Sequence, residues 1–248
     1  MATATKKTTI VFSINVHEHF NFLRKQIEDI ETNVLLDYVI IINANQYMYD
    51  EIINSGILNE KANIELYPEY VNKKHYHGSL TKGICLNMEY AIKNYQFEYF
   101  VILSSRNLFY NKLHNDNYKN MRKICEGSSF EKIIKHEWHW PLFFQTKLSE
   151  YIIMNNLIFS KHVLHHEGLT FDYISSLRVV EFLQNNELIK NDLFEFNCCV
   201  EEFALQTISL NLTGYYYQIG NWNGSGEDDY DNIDTLPKDL FVYKTIRK

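Results

Sequence analysis

The chain has 248 residues, 46% hydrophobic and 15% aromatic with only three prolines, enough apolar material to bury one sizeable core. Its net charge of -7 and pI near 5.8 exclude a general nucleic-acid surface, which needs clustered Lys and Arg. No run approaches the ~20 apolar residues of a membrane-spanning helix.

The amino end, MATATKKTTIVFSIN, carries two lysines and no leader-like apolar stretch, so the expectation is a soluble, cytoplasmic chain. TTIVFSIN (8–15) is a β-branched run that predicts a strand. Phe20, Leu23, Ile27 and Ile30 follow at helical spacing. LLDYVIIIN (35–43) reads as a buried strand, with a short helix near 48–55 and a strand at NIELY (63–67). Leu80, Ile84, Met88, Ala91 and Ile92 mark a second amphipathic helix, and EYFVILSS (98–105) is a continuous apolar strand. Strand and helix in alternation predict an α/β fold with a mostly parallel central sheet flanked by helices. Such sheets bind ligands at the carboxyl ends of their strands. That rule singles out Asn15 to His17, Asn43 to Gln46 and Ser104 to Asn107.

The second half is less regular. HEWHWPLFF (136–144) is aromatic and broken by Pro141. A helix is expected over 171–185 and another after Cys198-Cys199, with Val200, Phe203, Ala204, Thr207 and Ile208 on one face. GYYYQIG (214–220) and LFVYKTI (240–246) read as strands around the polar, glycine-punctuated loop 221–234. No repeat or linker divides the chain. It reads as one domain over 1–248, with halves at about 8–110 and 111–248.

Several constellations carry potential chemistry. Glu201 and Glu202 open the helix after the cysteine pair, where acidic residues meet the macrodipole. Glu202 lies off the apolar face, where a carboxylate can act as a general base. His162, His165 and His166 would share a helical face, with His136 and His139 nearby, but metal motifs are usually tighter. Asp229 and Asp231 form an Asp-x-Asp in a glycine-rich loop, an alternative site for magnesium or manganese. Trp138 and Trp140 would face one side of a strand, as core or as a platform for a sugar ring. Cys85, Cys125, Cys198 and Cys199 lack Cys-x-x-Cys spacing and read as reduced thiols. Asn211-Leu-Thr213 and Asn223-Gly-Ser225 match the glycosylation pattern, which matters only for a secreted chain.

Taken in order, the segments IVFSINVHEHFNFLRKQI, Tyr38-Val-Ile-Ile-Ile-Asn43, Tyr76-His-Gly-Ser-Leu80, FEYFVILSSRNLFY, Val200-Glu-Glu-Phe203 and Leu240-Phe-Val-Tyr-Lys244 resemble one family. It is that of the core-2/I-branching β-1,6-N-acetylglucosaminyltransferases and the peptide O-xylosyltransferases. The resemblance implies a fold of the GT-A type and an inverting, metal-independent transfer of xylose or N-acetylglucosamine from a UDP-sugar to a glycan or glycoprotein. It implies no cofactor and no metal ligands. Glu202 falls on the family's catalytic base, and Lys244 on a lysine that contacts the donor diphosphate. Val16, His17, Asn43, Tyr76 and Ser104 fall on donor-binding segments, and Arg106 and Arg247 are added as possible diphosphate cations. Trp138, Trp140 and Glu201 are assigned to the acceptor. Asn43 and Asn107 stand where the family has Asp, and Ser105 where it has Gly. The family's second basic diphosphate ligand has no counterpart in QIGNWNGSGEDDYD. A bacterial or viral cytosolic enzyme fits this pattern. The alternatives are a metal-dependent transferase built on Asp229 and Asp231, or a non-catalytic carbohydrate-binding protein.

Overall fold

A computed structural model of the chain describes residues 6–16, 19–104, 107–109, 111–133, 141–161, 167–219, 221–222 and 242–244. The first half folds as β1 (Ile10–Val16), α1 (Phe20–Asn33), β2 (Tyr38–Ala44), α2 (Gln46–Ser55), β3 (Ile64–Leu66), α3 (Ser79–Asn94) and β4 (Tyr99–Ser104). The second half supplies β5 (Asn107–Phe109), β6 (Arg122–Ile124), α4 (Lys147–Met154), β7 (Leu169–Asp172), α5 (Tyr173–Asn185) and α6 (Glu187–Glu195). It ends with α7 (Ala204–Thr213), β8 (Tyr216–Gln218), β9 (Asn221–Trp222) and β10 (Val242–Lys244).

The architecture is α/β around a seven-stranded sheet of order β3-β2-β1-β4-β7-β8-β6. The three pairings among β3, β2, β1 and β4 are parallel, and the three that add β7, β8 and β6 are antiparallel. The sheet is therefore mixed rather than mostly parallel. The parallel half comes from the alternating strand–helix segment, where helical crossovers enforce one direction. Beyond it the chain enters the sheet through short strands that reverse direction. β9, β10 and β5 form a separate three-stranded sheet.

Two cores sandwich the main sheet. On one face Val11, Val39, Ile41, Phe100, Ile102 and Phe171 pack with residues of α3 to α7, such as Met88, Ile152, Val179, Leu193 and Leu205. On the other, Phe12, Ile14, Ile40, Ile42 and Leu103 pack against Leu23, Ile27 and Ile30 of α1 and Met48 and Ile52 of α2. Every residue of β1 is buried, as a central parallel strand covered on both faces requires. Both sheet edges are short: β3 and β6 have three residues each, and β6 carries Arg122 and Lys123. The Lys123 ammonium lies 3.8 Å from the Tyr215 ring centroid.

Several predicted boundaries shift for local reasons. Asn45 caps α2 by accepting from the Met48 N–H at 3.0 Å, so that helix starts at Gln46. The helix expected over 171–185 is a strand followed by a helix. Asp172 marks the switch, its carboxylate accepting from the Ser175 N–H at 2.7 Å. The helix expected directly after the cysteine pair begins only at Ala204, because Val200–Glu202 form a 3₁₀ turn and Phe203 leaves helical backbone angles. Phe203 turns inward there, its ring 4.2 Å from that of Phe143 and stacked on Phe159.

The four cysteines are free, three of them buried and Cys125 exposed. Among the described residues no helix is long and apolar enough to cross a membrane.

Candidate functional site

Ser13 and Asn15 interrupt the apolar run of β1, and Asn43 interrupts β2. Alternation along the strands turns them to the α3 face, together with Ile41 and Ile102. Asn15 pairs in register with Asn43 on one side and with Ser104 on the other. β7 runs antiparallel to β4 with Thr170 opposite Val101, and the Gly168 N–H continues the ladder by donating to the Ile102 carbonyl at 2.7 Å. That bond is one residue out of step with the pairing of Thr170 and Val101, a bulge at Gly168 (φ 81°) that leaves Glu167 beside the end of β4. Asn43, Asn15 and Ser104 thus form one polar row on the α3 face, across the carboxyl ends of three parallel strands, with Glu167 beyond its Ser104 end. At about 4.8 Å per strand Asn43 and Ser104 stand roughly 10 Å apart.

α3 can lie close to this row because residue 83 is glycine. A Cβ there would stand 2.4 Å from Asn15 Oδ1, 3.0 Å from Asn43 Oδ1 and 3.1 Å from Lys73 Cε. Below it, Asn87 Nδ2 donates to Ser13 Oγ and to the Ile41 carbonyl, both at 3.0 Å. Asn15 Nδ2 donates to the Leu80 carbonyl at 2.8 Å. Asn15 Oδ1 and Asn43 Nδ2 are buried without a hydrogen-bond partner, an arrangement that is costly when left uncompensated.

One end of the row is basic. Lys73, on the loop between β3 and α3, donates to Asn43 Oδ1 at 2.6 Å and to the Asn43 carbonyl at 3.0 Å. Burial pushes its pKa down to about 7. The same loop carries Tyr76, an exposed side chain on a left-handed backbone (φ 52°), with its ring 4.0 Å from that of His75. His77 Nδ1 then accepts from the Ser79 N–H at 3.0 Å, and the Gly78 N–H donates to the Phe196 carbonyl at 2.8 Å.

The other end is acidic. Glu167 and Glu201 are buried, and Glu202 is half-buried on the 3₁₀ turn ahead of α7. Burial pushes the Glu201 pKa up to about 8, and the charges of Glu202 and Glu167 add to the rise. The Glu202 carbonyl accepts from Gln206 Nε2, which anchors the turn to α7. Burial also raises the Cys199 thiol above its ordinary range, so that it stays protonated.

At the centre of the edge, Asn107 Oδ1 accepts from the Ser104 N–H at 2.7 Å and from Ser104 Oγ at 3.1 Å, closing the turn from β4 into β5. Asn107 is thus a turn former, a role in which an amide suits as well as a carboxylate. β10 pairs antiparallel with β5, which sets Lys244 opposite Asn107.

The structure therefore brings together Asn43, Ser104, Glu201, Glu202 and the backbone position of Lys244, with Tyr76 on the adjoining loop. Val16 ends β1 with its side chain fully buried, and its carbonyl accepts from the Asn45 N–H at 3.1 Å. Glu201, expected to meet an acceptor, is instead almost wholly enclosed by protein (1% exposed). His17, Arg106, Trp138, Trp140, Arg247, Asp229 and Asp231 lie outside the described residues, as do His136, His139, His162, His165 and His166. Among the described residues no group of three His, Cys, Asp or Glu is placed to hold a metal ion. Sequence reasoning missed Lys73 and Glu167. Lys73 sits among polar loop residues with no periodic signal, and Glu167 joins the row only through a long-range antiparallel pairing. The chain matches no model of a known protein family and none of the curated proteins compared with it.

Two outcomes test this geometry. Gly83→Ala must push α3 off the row and is expected to lower stability by about 1–3 kcal/mol in urea unfolding. The raised pKa of Glu201 means that the native state keeps a proton that the unfolded chain loses above pH 4.5. Its contribution to stability therefore falls as pH rises from about 4.5 to about 8, by at most about 1.4 kcal/mol for each pH unit. Lys73 acts in the opposite sense, its contribution growing between about pH 7 and 10.5. Thermal melts of Glu201→Gln from pH 5 to 7 should show a shallower fall in Tm than the parent.

Proposed function

We propose that the chain is an inverting glycosyltransferase that moves a sugar from a UDP-sugar to a hydroxyl of a glycan acceptor. Xylose and N-acetylglucosamine are the sugars that the family resemblance implies. The observation that carries this reading is the polar row across the strand ends, basic beside Asn43 and acidic beyond Ser104. A nucleotide sugar has the matching polarity, an anionic diphosphate next to a carbon that becomes electron-poor as the leaving group departs. The order β3-β2-β1-β4, followed by an antiparallel partner, supports a fold of the GT-A type.

In this reading Glu202 is the general base. It takes the acceptor hydroxyl proton as that oxygen bonds to the anomeric carbon. The carbon–oxygen bond to the β-phosphate breaks on the opposite face, and UDP leaves with the electron pair. Glu202 is half-buried, so its carboxylate is partly desolvated and still within reach of substrate. Its neighbour Glu201, with a pKa of about 8, is protonated at neutral pH and adds no repulsion. Lys244, opposite Asn107 on the neighbouring strand, supplies positive charge to the leaving diphosphate. Fixed cations in a water-poor site stabilise such charge without reorganising as the reaction proceeds. Asn43, Ser104 and Tyr76 complete the donor side.

Glu202→Gln is expected to lower kcat by about 10²- to 10⁴-fold while UDP affinity, measured by calorimetry, stays unchanged. Full activity in that variant would remove Glu202 from the chemistry. Lys244→Ala should weaken UDP by roughly tenfold or more, the scale of one charge-assisted hydrogen bond. A thermal-shift screen of UDP-, GDP- and dTDP-sugars, with and without manganese, tests the nucleotide and metal assignments. Stabilisation only in the presence of manganese would favour the Asp229–Asp231 alternative.

A further inference from the structure

The ammonium of Lys73 is partly enclosed, yet every group that meets it is neutral. From β2 it meets Asn43 Oδ1 and the Asn43 carbonyl, and from its own loop the Val71 carbonyl at 3.5 Å. From α3 the nearest approach to its side chain is at Gly83, where an added Cβ would stand 3.1 Å from Lys73 Cε and would also meet the amides of Asn15 and Asn43. No carboxylate contributes to its pKa, which burial alone depresses. Beside it, Asn43 Nδ2 is a second buried donor, and it has no acceptor. Donors and positive potential thus converge at the carboxyl end of β2, and among the described residues no counter-anion answers them.

We infer that Lys73 and Asn43 Nδ2 form a phosphate-binding subsite, and that Lys73 is the second cation on the donor diphosphate beside Lys244. This rests on the function proposed above and fills the place for which the 214–234 segment offers no Lys or Arg. The span is suitable. Asn43 and Ser104 stand two strands apart, about 10 Å, and Lys244 attaches one pairing beyond, opposite Asn107. In the free protein Lys73 rests on Asn43 with little charge at slightly alkaline pH; a phosphate oxygen would replace the Asn43 contact and hold the amine as ammonium. Binding then carries a proton with it.

The test is calorimetry at pH 8 in two buffers of different ionisation enthalpy, using UDP, uridine and inorganic phosphate. With Lys73 free at a pKa of about 7, the parent protein should take up close to one proton for each UDP bound. Uridine should bring none. Lys73→Gln should abolish the uptake and weaken UDP by ~10- to 100-fold, leaving uridine affinity as it was. Lys73→Arg should recover affinity without the uptake, since guanidinium stays charged. UDP binding that involves no proton and is equal in Lys73→Gln overturns this inference and leaves the transferase reading intact. A parent protein that binds neither UDP nor UDP-sugars overturns both. Lys73-dependent uptake with inorganic phosphate alone, and none with UDP, assigns the subsite to free phosphate and removes Lys73 from the donor. Should Lys73→Gln fail to fold, acylation of the parent decides the matter: UDP must protect Lys73 from the reagent, and unchanged labelling counts against the inference.

Discussion

The close approach of α3 to the sheet at Gly83 governs everything around Asn15 and Asn43. A helix standing one methyl group farther away would leave those amides open to bulk water and would release Lys73 from the enclosure that lowers its pKa. With glycine at that point, the polar row is enclosed at Asn15 and Asn43, between the sheet and α3. Within it, hydrogen bonds and charges act in a low effective dielectric, which strengthens both attraction and the cost of an unmatched group. The same contact therefore raises both the electrostatic potential at the row and the cost of leaving its polar groups unmatched.

The two ends of the row differ in how they hold charge. Lys73 is an amine that burial biases toward neutrality, and Glu201 is a carboxyl that burial biases toward protonation. Near neutral pH each of these buried groups sits close to its less charged form. Glu201 is enclosed at the turn, whereas its neighbour Glu202 is half-buried.

Much of the parallel half was legible from the residues. The β-branched runs at 8–15 and 35–43 and the apolar spacing through Leu80 to Ile92 correspond to β1, β2 and α3, because local periodicity and burial agree there. The strand-end rule points to Asn43 and Ser104 from the residues alone. The second half was less readable. Its strands are two to four residues long, and their direction is decided by partners far away in sequence, as with Leu169–Asp172 against Tyr99–Ser104. For the same reason Glu167, brought to the end of β4 only by that long-range pairing, carried no local signal. Glu201 and Glu202 were recognised as a pair, but which of them turns inward depended on a 3₁₀ turn that helical spacing does not anticipate.

The borders of the main sheet bear on how copies of the molecule meet one another. A free strand offers its backbone as a template for another chain, and such templates invite open-ended stacking. Here one border is a three-residue strand and the other presents Arg122 and Lys123, the latter held over Tyr215. Too little backbone is on offer at the first, and at the second an incoming copy would meet like charge with like. Growth of the sheet from molecule to molecule is thereby discouraged.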